Sequence, residues 1–480
     1  MVGGGVSGLA TALLLSARGH ELVLVEQDDT PLPDTADEAF QWERHGAPQV
    51  RHSHAFLARL TGLLRTQFPD LYAELLDEGA WEIRFGEDLP PTMQGFVPEP
   101  ADDELTMLAC RRTTFEWLLR RAVEHGRAGT VRVGTPATGL RTTGGTPVVV
   151  DGLTLADGSE LDADLVVVAS GRRSALPAWL ESIGATPPAE QVEDTGIVYL
   201  TRFYRLHPEA PYPPRSGPIG GDLGYLKYGV FVADNRTFSV TLAVPTDDAT
   251  LRRLLTDPDT FDACARLLVA TAPYLDGRAT PLDGAVHVMA GLLNRWRPFV
   301  ADGRPVAVGV VPVGDAVVCT NPLYGRGCSL AFWAAELLGD ALDAHGDDTA
   351  AVAVSYSAAL ERELGPWYRA AVSQDAEARR VSAALLAGDD PDGDVNDPRS
   401  FMRSVFRDGL LPAMRTDPVV LRAFVRTFNL LCPPDAMITD TNVSARVFAA
   451  WQDRDNRPPE PVLGPRSRAD LLAALGVSPA

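Results

Sequence analysis

The most constraining feature of the 480-residue sequence is a glycine-rich run at residues 3–8, which fits the pattern G-x-G-x-x-G. The apolar spacing after it predicts a helix that ends at Gly19, and residues 22–25 predict a buried strand. A glycine turn at a helix start lets a pyrophosphate approach the backbone, and an acidic residue about 20 positions later can accept both ribose hydroxyls. This pattern predicts dinucleotide binding. The residues predicted to bind are Gly3, Gly5, Gly8 and Glu26.

Only Met1 and Val2 precede these glycines, although a Rossmann-type unit has a whole buried strand at that place. We therefore expect that the natural reading frame begins several residues upstream. A chain that starts at Met1 is expected to hold its dinucleotide poorly, and extension of the N-terminus is expected to increase the amount bound.

A second glycine-rich stretch, at residues 310–331, joins an apolar β-branched run to the start of a helix. The apolar run breaks at Gly314-Asp315, and the helix follows Gly327. A buried strand that leads into such a turn places backbone N–H groups and one carboxylate around a polar ligand. A third apolar run, at residues 164–174, ends in a similar turn. Because ligands of open α/β sheets bind at the carboxyl ends of the strands, the three turns are predicted to surround one ligand.

Charge and cysteine content narrow the possible functions. With 43 basic and 64 acidic residues the net charge is −21, which argues against a nucleic-acid partner. The sequence contains no apolar run of about 18 residues and no signal-peptide pattern, so we expect no stable membrane insertion. The five cysteines are scattered and never form C-x-x-C, which is typical of a reducing, cytoplasmic location.

Two histidines and three arginines are further candidates for the site. His52 and His54 have no third ligand at a familiar spacing, so we favour hydrogen-bonded histidines beside a cofactor and predict no metal. Arg51 is suited to pair with a pyrophosphate, but a surface position explains it equally well. Arg111 and Arg112 stand at a predicted helix start, against the dipole preference, so they face solvent or an anionic ligand compensates them.

The pattern of elements predicts an α/β fold: a Rossmann-like dinucleotide-binding domain, an antiparallel β-sheet substrate domain and a C-terminal helical region. The first comprises 1–85, 106–190 and 301–345, the second 86–105 and 191–300, and the third 346–480.

Aromatic residues of the predicted antiparallel sheet are candidates to line a substrate chamber, although such a stripe more often belongs to a core. These residues are Tyr199, Phe203, Tyr225, Tyr228, Phe231 and Phe238.

Together the three motifs resemble those of the class A flavoprotein monooxygenases of the para-hydroxybenzoate hydroxylase fold, over residues 3 to about 342. Within that family, residues 46–54, 109–117 and 194–202 are most similar to the squalene-epoxidase-like epoxidases of polyether antibiotic pathways. The resemblance implies FAD as the cofactor. By this resemblance Glu26 would bind the adenosine ribose, and Arg51 and Arg112 would make other contacts with FAD. Gly314 and Asp315 would bind the ribityl or pyrophosphate portion. The backbone at Pro322, Gly325 and Gly327 would lie against the flavin ring.

The resemblance also implies an activity. Reduced flavin and O₂ would form a C4a-hydroperoxide that epoxidises or hydroxylates an apolar or aromatic small molecule, in a pathway of secondary metabolism. The middle motif has Ser170 where the family usually has aspartate, which argues against direct reduction by NAD(P)H. A partner flavin reductase is therefore an alternative source of electrons.

Four other functions compete with this one. They are an aromatic hydroxylase, a flavin-dependent reductase or dehydrogenase of isoprenoid-like substrates, a flavin-holding sensor, and a halogenase. The halogenase is disfavoured because the sequence has no Trp-x-Trp-x-Ile-Pro and no obvious lysine to relay hypohalous acid.

Overall fold

The computed structural model describes residues 1–93, 95–126, 129–213, 219–394, 396–457 and 462–477. Its helices are α1 (Val6–Ala17), α2 (Ala36–Gln41), α3 (Ala58–Gln67), α4 (Pro69–Asp77), α5 (Arg112–His125), α6 (Leu176–Ser182), α7 (Ala249–Leu254), α8 (Pro258–Arg266), α9 (Gly327–His345), α10 (Thr349–Glu363), α11 (Gly365–Ala387), α12 (Pro398–Val405), α13 (Leu411–Thr416), α14 (Pro418–Phe428), α15 (Ala436–Thr439), α16 (Thr441–Gln452) and α17 (Arg468–Ala474).

The strands are β1 (Val23–Val25), β2 (Trp81–Ile83), β3 (Met107–Ala109), β4 (Thr130–Arg132), β5 (Ala137–Gly144), β6 (Val148–Leu155), β7 (Glu160–Asp162), β8 (Val166–Val168), β9 (Gln191–Asp194), β10 (Ile197–Leu206), β11 (Gly220–Asp222), β12 (Lys227–Val232), β13 (Thr237–Pro245), β14 (Ala279–Pro281), β15 (His287–Met289), β16 (Leu293–Trp296), β17 (Val300–Ala301), β18 (Arg304–Pro305), β19 (Ala307–Val308), β20 (Val310–Pro312) and β21 (Val318–Cys319).

A parallel sheet forms the centre of the first region. Strand β1 pairs with β4, and β8 pairs with β20. Val2 joins the two pairs by parallel bridges to Val25 and Val168. Alternate residues enter different cores: Leu24 and Val167 face helices α1, α5 and α9, whereas the residues next to them face the β5–β7 meander. Because both faces are covered, β1, β8 and β20 are apolar along their whole length, as the sequence predicted, whereas β4 at the edge carries the exposed Thr130 and Arg132.

The second region is built on an antiparallel sheet in the order β11, β12, β13, β10, β14, with β15 also paired to β10. Asn235 and Arg236 have φ values of 53° and 60° and form the turn between β12 and β13. One face of the sheet packs on α7 and α8. The described residues of 86–105 contribute no strand to this sheet.

The C-terminal part is helical, as predicted, but its helices pack in three different places. Helices α10 and α11 lie against α9 and β16, and α12–α16 share a small apolar core of their own. Helix α17 returns to the antiparallel sheet, where Leu471 and Leu472 are buried in the core beneath it. Arg468 pairs there with Asp248 at 2.6 Å. The division into three domains at the predicted boundaries stays a prediction.

Across the described ranges, no helix combines the length and the apolar character needed to cross a bilayer.

Candidate functional site

One cavity of about 670 Å³ brings the predicted binding motifs together. Its volume is within the range of sites that hold cofactors and drug-sized ligands. The residues predicted from the sequence that line it are Gly3, Gly5, Glu26, Arg112, Gly314, Asp315, Pro322, Gly325 and Gly327. The turn of the middle motif, at Ser170 and Gly171, lines it as well. The three turns follow Val2, β8 and β20, which are neighbours in the parallel sheet, so they converge at its carboxyl edge, where Glu26 follows β1.

The N-terminus of α1 is open to this cavity. The N–H groups in the first turn of a helix have no intrahelical partners, and here no side chain caps them either. A Cβ on Gly5 would meet no protein atom within 4 Å, so it would enter the cavity itself. Gly8 does not line the cavity; a Cβ there would lie 1.8 Å from the carbonyl oxygen of Gly3. Gly5 thus leaves room for a ligand, whereas Gly8 allows the helix to pack closely on the glycine turn.

The carboxylate of Glu26 lies at the end of β1 and is 4% exposed. Its Oε2 accepts a hydrogen bond of 2.6 Å from Gly4 N, and its Oε1 accepts one of 2.9 Å from Asp28 N. These two bonds and a longer one of 3.5 Å from Arg44 Nη2 to Oε2 fix the carboxylate beside the glycine turn, and Oε1 keeps acceptor capacity for a hydroxyl. The predicted position of Glu26 at a ribose is compatible with this geometry.

The turn after β20 places a second carboxylate in the cavity. Gly314 has a φ of 61°, and a Cβ there would lie 2.0 Å from Ser7 Oγ, so a larger residue would separate this turn from α1. Asp315 follows it and lines the cavity. Burial raises the pKa of Asp315, and the positive charges of Arg112 and Arg172 oppose that rise. Burial removes water from the ionised carboxylate, which costs free energy. A ligand group that donates a hydrogen bond to the carboxylate would therefore offset this desolvation cost.

The loop before α9 closes the cavity from the other side. Pro322, Gly325 and Gly327 line it, and Gly325 has a φ of 65° with Ala55 so near that a Cβ would lie 2.9 Å away. No side-chain hydrogen bond caps α9, so a second helix N-terminus faces the site.

Arg112 is buried and paired within the protein, so it does not face solvent, which corrects one of the two alternatives drawn from the sequence; its contact with FAD stays a prediction. Its Nε and Nη2 donate to Glu116 Oε2 at 2.9 and 2.8 Å. The other oxygen of Glu116 accepts from Arg44 Nε at 3.0 Å. Arg44 also donates to the carbonyl of Gly4 at 3.0 Å, so this buried chain of charges braces the first glycine turn.

Arg44 and Glu116 belong to the site although no sequence motif indicated them. One signal was present, because Glu116 stands four residues after Arg112 in a predicted helix, the spacing of an ion pair. Nothing in the local sequence relates Glu116 to Arg44, which is 72 residues away in the chain.

Arg111 is buried as well, and an aspartate of the antiparallel sheet compensates it. Asp234 Oδ2 accepts from Arg111 Nη2 at 2.6 Å. Arg51 lies outside the lining of the cavity, and its Nε donates to the carbonyl of Phe40 at 3.0 Å. A contact between Arg51 and FAD stays a prediction that this geometry does not favour.

Both histidines line the cavity as hydrogen-bonded neighbours, which is the arrangement favoured from the sequence. His54 Nε2 lies 3.2 Å from Arg112 Nη1, and because arginine only donates, that nitrogen is the acceptor. His54 Nδ1 therefore donates to the carbonyl of His52 at 2.8 Å. Burial lowers the pKa of each histidine to about 3, so both imidazoles are neutral at physiological pH. Among the described residues, no group of three His, Cys, Asp or Glu side chains is arranged to hold a metal.

The aromatic residues of the antiparallel sheet do not line this cavity, so the core position, which the sequence favoured over a substrate chamber, is the one found for most of them. Tyr225, Tyr228 and Phe238 belong to the core beneath the sheet. Tyr199 is bound to Asn321 and Phe203 packs on Phe40. The physical reason is that β10 and β13 are covered on both faces, so bulky side chains fill cores.

The wall near Pro322 is formed instead by the connection between β15 and β16. Met289, Leu292 and Leu293 line the cavity, and the first two share a small apolar cluster with Leu323.

Comparison with known proteins supports the fold and extends over most of the chain. Residues 1–63 match the family described as an NAD(P)-binding Rossmann-like domain. The chain is 28% identical to Protein Rv3254 of Mycobacterium tuberculosis (strain ATCC 25618 / H37Rv) over 455 residues, which cover 90% of this chain and 89% of that protein.

Two solved structures illustrate the fold. PqsL, described as a probable FAD-dependent monooxygenase from Pseudomonas aeruginosa, superposes with a TM-score of 0.57 at 19% identity, over 84% of this chain and 97% of that chain. The flavin-dependent brominase Bmp2 superposes with a TM-score of 0.57 at 16% identity, over 95% and 98%. The chain therefore has the α/β fold with a Rossmann-like FAD domain that is seen in such monooxygenases and halogenases, as predicted.

Proposed function

We propose that this protein is an FAD-dependent oxidoreductase of the monooxygenase type, which inserts oxygen from O₂ into an apolar small molecule of secondary metabolism. The observation that carries the proposal is the convergence of three glycine turns with the carboxylates of Glu26 and Asp315 in one cavity. The fold shared with flavin-dependent enzymes supports it.

The residues of the cavity fit FAD at each of its parts. The uncapped N-terminus of α1 and the open space at Gly5 suit a pyrophosphate, and Glu26 is fixed where it can accept hydroxyl groups. Asp315 would bind the ribityl chain, and the backbone from Pro322 to Gly327 would lie against the flavin ring. Bound FAD supplies the redox chemistry, which is reduction by a donor and activation of O₂.

An apolar substrate fits the wall near the loop that would contact the flavin. Residues 289–293 have no charged side chain, and Met289 and Leu292 pack with Leu323, next to Pro322. Such a wall excludes water and orients an uncharged substrate. His52 adds one polar group; its Nδ1 is hydrogen-bonded to Thr201 Oγ1 at 3.0 Å, and its Nε2 has no hydrogen-bond partner among the described residues.

This environment supports a substrate that does not need to lose a proton. Burial holds the pKa of His52 at about 3, so its imidazole is a poor base for a phenol. Aromatic hydroxylation is therefore the second candidate. Epoxidation rests on the sequence resemblance alone, since neither structure compared above is an epoxidase.

A halogenase is disfavoured by the position of the only lysine in the sequence. Lys227 is ion-paired with Asp222 at the edge of the antiparallel sheet and is not part of the cavity lining. A lysine that relays hypohalous acid would have to lie in the cavity.

The source of electrons is proposed to be a separate flavin reductase, with direct reduction by NAD(P)H as the alternative. Ser170, which replaces the usual aspartate, donates from its hydroxyl to Ser174 Oγ at 2.7 Å, so its side chain is engaged inside its own turn.

Isotope labelling under ¹⁸O₂ tests the proposal. The FAD-loaded protein would be supplied with a flavin reductase and NADH and screened against apolar alkenes and phenols, with bromide and chloride present or absent. We expect one ¹⁸O atom in the product and oxygen consumption that rises with substrate.

Each competing function predicts another result. A halogenase would give a halide-dependent product without ¹⁸O, and a reductase or dehydrogenase would convert substrate without consuming oxygen stoichiometrically. Failure of the protein to bind FAD, or FAD binding without turnover of any substrate, would reject the proposal.

A further inference from the structure

We infer that Asp375, on α11, is a positioning residue that holds the flavin-facing loop at residues 320–327. The inference rests on the proposed function, because it assumes that this loop contacts a bound flavin. Helix α11 lies in the C-terminal part, beyond every glycine motif, so none of the sequence motifs pointed to it.

Asp375 holds the loop through Asn321. The side-chain amide of Asn321 donates from Nδ2 to Asp375 Oδ1 at 2.7 Å. Its Oδ1 accepts from Tyr199 OH at 2.7 Å and from Leu323 N at 3.0 Å, and its backbone N donates to Asn294 Oδ1 at 2.8 Å. Asn321 is thus held at every polar group of its side chain and stands immediately before Pro322, which lines the cavity.

The carboxylate of Asp375 is buried, 2% exposed, and is bound by neutral donors. Asn294 Nδ2 donates to its Oδ2 at 2.6 Å, and Tyr324 OH donates to its Oδ1 at 3.3 Å. Within the described chain it makes no ion pair within 4.0 Å, and burial raises its pKa. The charges of Arg379 and Arg326 act on this carboxylate from a longer distance, but its hydrogen bonds come from amides and a phenol. Burial of such a carboxylate is costly for folding, and its hydrogen bonds are made to Asn294 and to the loop residues Asn321 and Tyr324.

The same helix contacts the loop a second time. Arg326, between the two loop glycines, is 6% exposed, and its guanidinium carbon lies 4.6 Å from the ring centroid of Trp367 on α11. The ring of Tyr324 lies 4.6 Å from that carbon as well. Helix α11 therefore contacts Asn321 and Arg326, near the two ends of the backbone proposed to face the flavin. A preformed site for the flavin ring requires such a rigid loop.

Substitution of Asp375 by asparagine removes this support with little change in volume. The new NH₂ group would face an NH₂ donor of Asn294 or Asn321, whichever oxygen it replaces. Neither neighbour can rotate its amide freely, because Asn294 Oδ1 and Asn321 Oδ1 already accept hydrogen bonds. Asp375 contacts no residue of the segment 3–26, which would bind the ADP part of FAD.

The test compares the dissociation constants of FAD and ADP for the wild-type protein and Asp375→Asn, with ADP measured by competition. We expect FAD binding about tenfold weaker or more, the loss that follows from disrupting a hydrogen-bonded buried charge, and ADP binding unchanged. Glu377→Gln is the matched control: it makes the same change two residues away on α11, where the carboxylate binds Arg380 and Arg403 instead of the loop. It is expected to leave both constants unchanged.

Equal weakening of FAD and ADP by Asp375→Asn would show a general structural role, and no weakening of either would show no role; both results would overturn the inference. If Asp375→Asn does not fold, Tyr199→Phe, which removes one hydrogen bond from Asn321, must weaken FAD selectively in its place. If the wild-type protein binds no FAD, the proposed function is rejected. If the wild-type protein binds FAD and the variant binds it equally well, only this inference is rejected.

Discussion

Asp234, in the hairpin of the antiparallel sheet, binds the first turn of α5 through Arg111. Its Oδ1 accepts from the backbone N of Arg111 at 2.6 Å, and its Oδ2 accepts from Arg111 Nη2 at 2.6 Å and from Thr114 Oγ1 at 3.0 Å. An aspartate 123 residues away in sequence thus supplies the anionic cap that α5 lacks in its own chain segment.

Asp234→Ala is expected to lower the free energy of unfolding by about 3–5 kcal/mol, because it leaves the buried guanidinium of Arg111 without its main partner. Asp37→Ala is the matched control, since Asp37 contacts the same guanidinium at 3.4 Å but its side chain is 57% exposed, and it should cost less than about 1 kcal/mol. Urea unfolding of both variants measures the difference. Similar losses for the two would contradict the role of Asp234.

Gly5→Ala is expected to abolish retention of FAD without loss of stability, because the added Cβ meets no protein atom and occupies the cavity. The visible spectrum of the purified protein and its thermal unfolding give the two readings. Gly62→Ala, in α3, also adds a methyl group that meets no atom within 4 Å, but away from the cavity, so it should keep the flavin. If the purified Gly5→Ala protein still shows the visible absorption of bound flavin, the assignment of the glycine turn to FAD binding is wrong.

Asp315→Asn is expected to separate stability from binding. Since burial raises the pKa of Asp315, the wild type loses stability as pH rises from the ordinary pKa of an aspartate through the raised pKa. The variant avoids this loss, so at neutral pH the ligand-free variant should melt at a higher temperature than the wild type, and this gain should vanish in acid. It should nevertheless lose FAD, because the carboxylate is the anchor. Lower stability of the variant at neutral pH would contradict the argument.

The two cavity histidines are expected to make the protein sensitive to acid. Their pKa falls from 6.5 to about 3 on folding, so the unfolded chain binds their protons first, and stability present above pH 6.5 is lost as pH falls towards 3. Each histidine adds about 1.4 kcal/mol per pH unit to the slope in that window. His52→Asn should reduce the slope of unfolding free energy against pH by that amount. Urea unfolding of the wild type and of His52→Asn across that pH window measures the change, and equal slopes for the two proteins would contradict the argument.

Much of the fold could be predicted because its signals are local. Apolar runs such as the one before Gly314 mark strands covered on both faces, and the spacing from the glycine turn to Glu26 places both at one sheet edge. The bonds that secure the site are not local. Asp375 meets Asn321 across 54 residues and Glu116 meets Arg44 across 72, and an isolated aspartate or glutamate in a helix carries no sign of its partner. For the aromatic residues of β10 and β13 the sequence left a core and a substrate chamber open, because alternation does not tell which face of a sheet holds a ligand.

The packing of α17 delays the completion of the antiparallel sheet during synthesis. Leu471 and Leu472 fill the core beneath strands that lie between residues 197 and 289, so that core stays open until α17 has left the ribosome. The loop at residues 320–327 waits in the same way for Asp375. Because Asp375 lies only 54 residues beyond Asn321, this loop can be fixed before α17 reaches the antiparallel sheet.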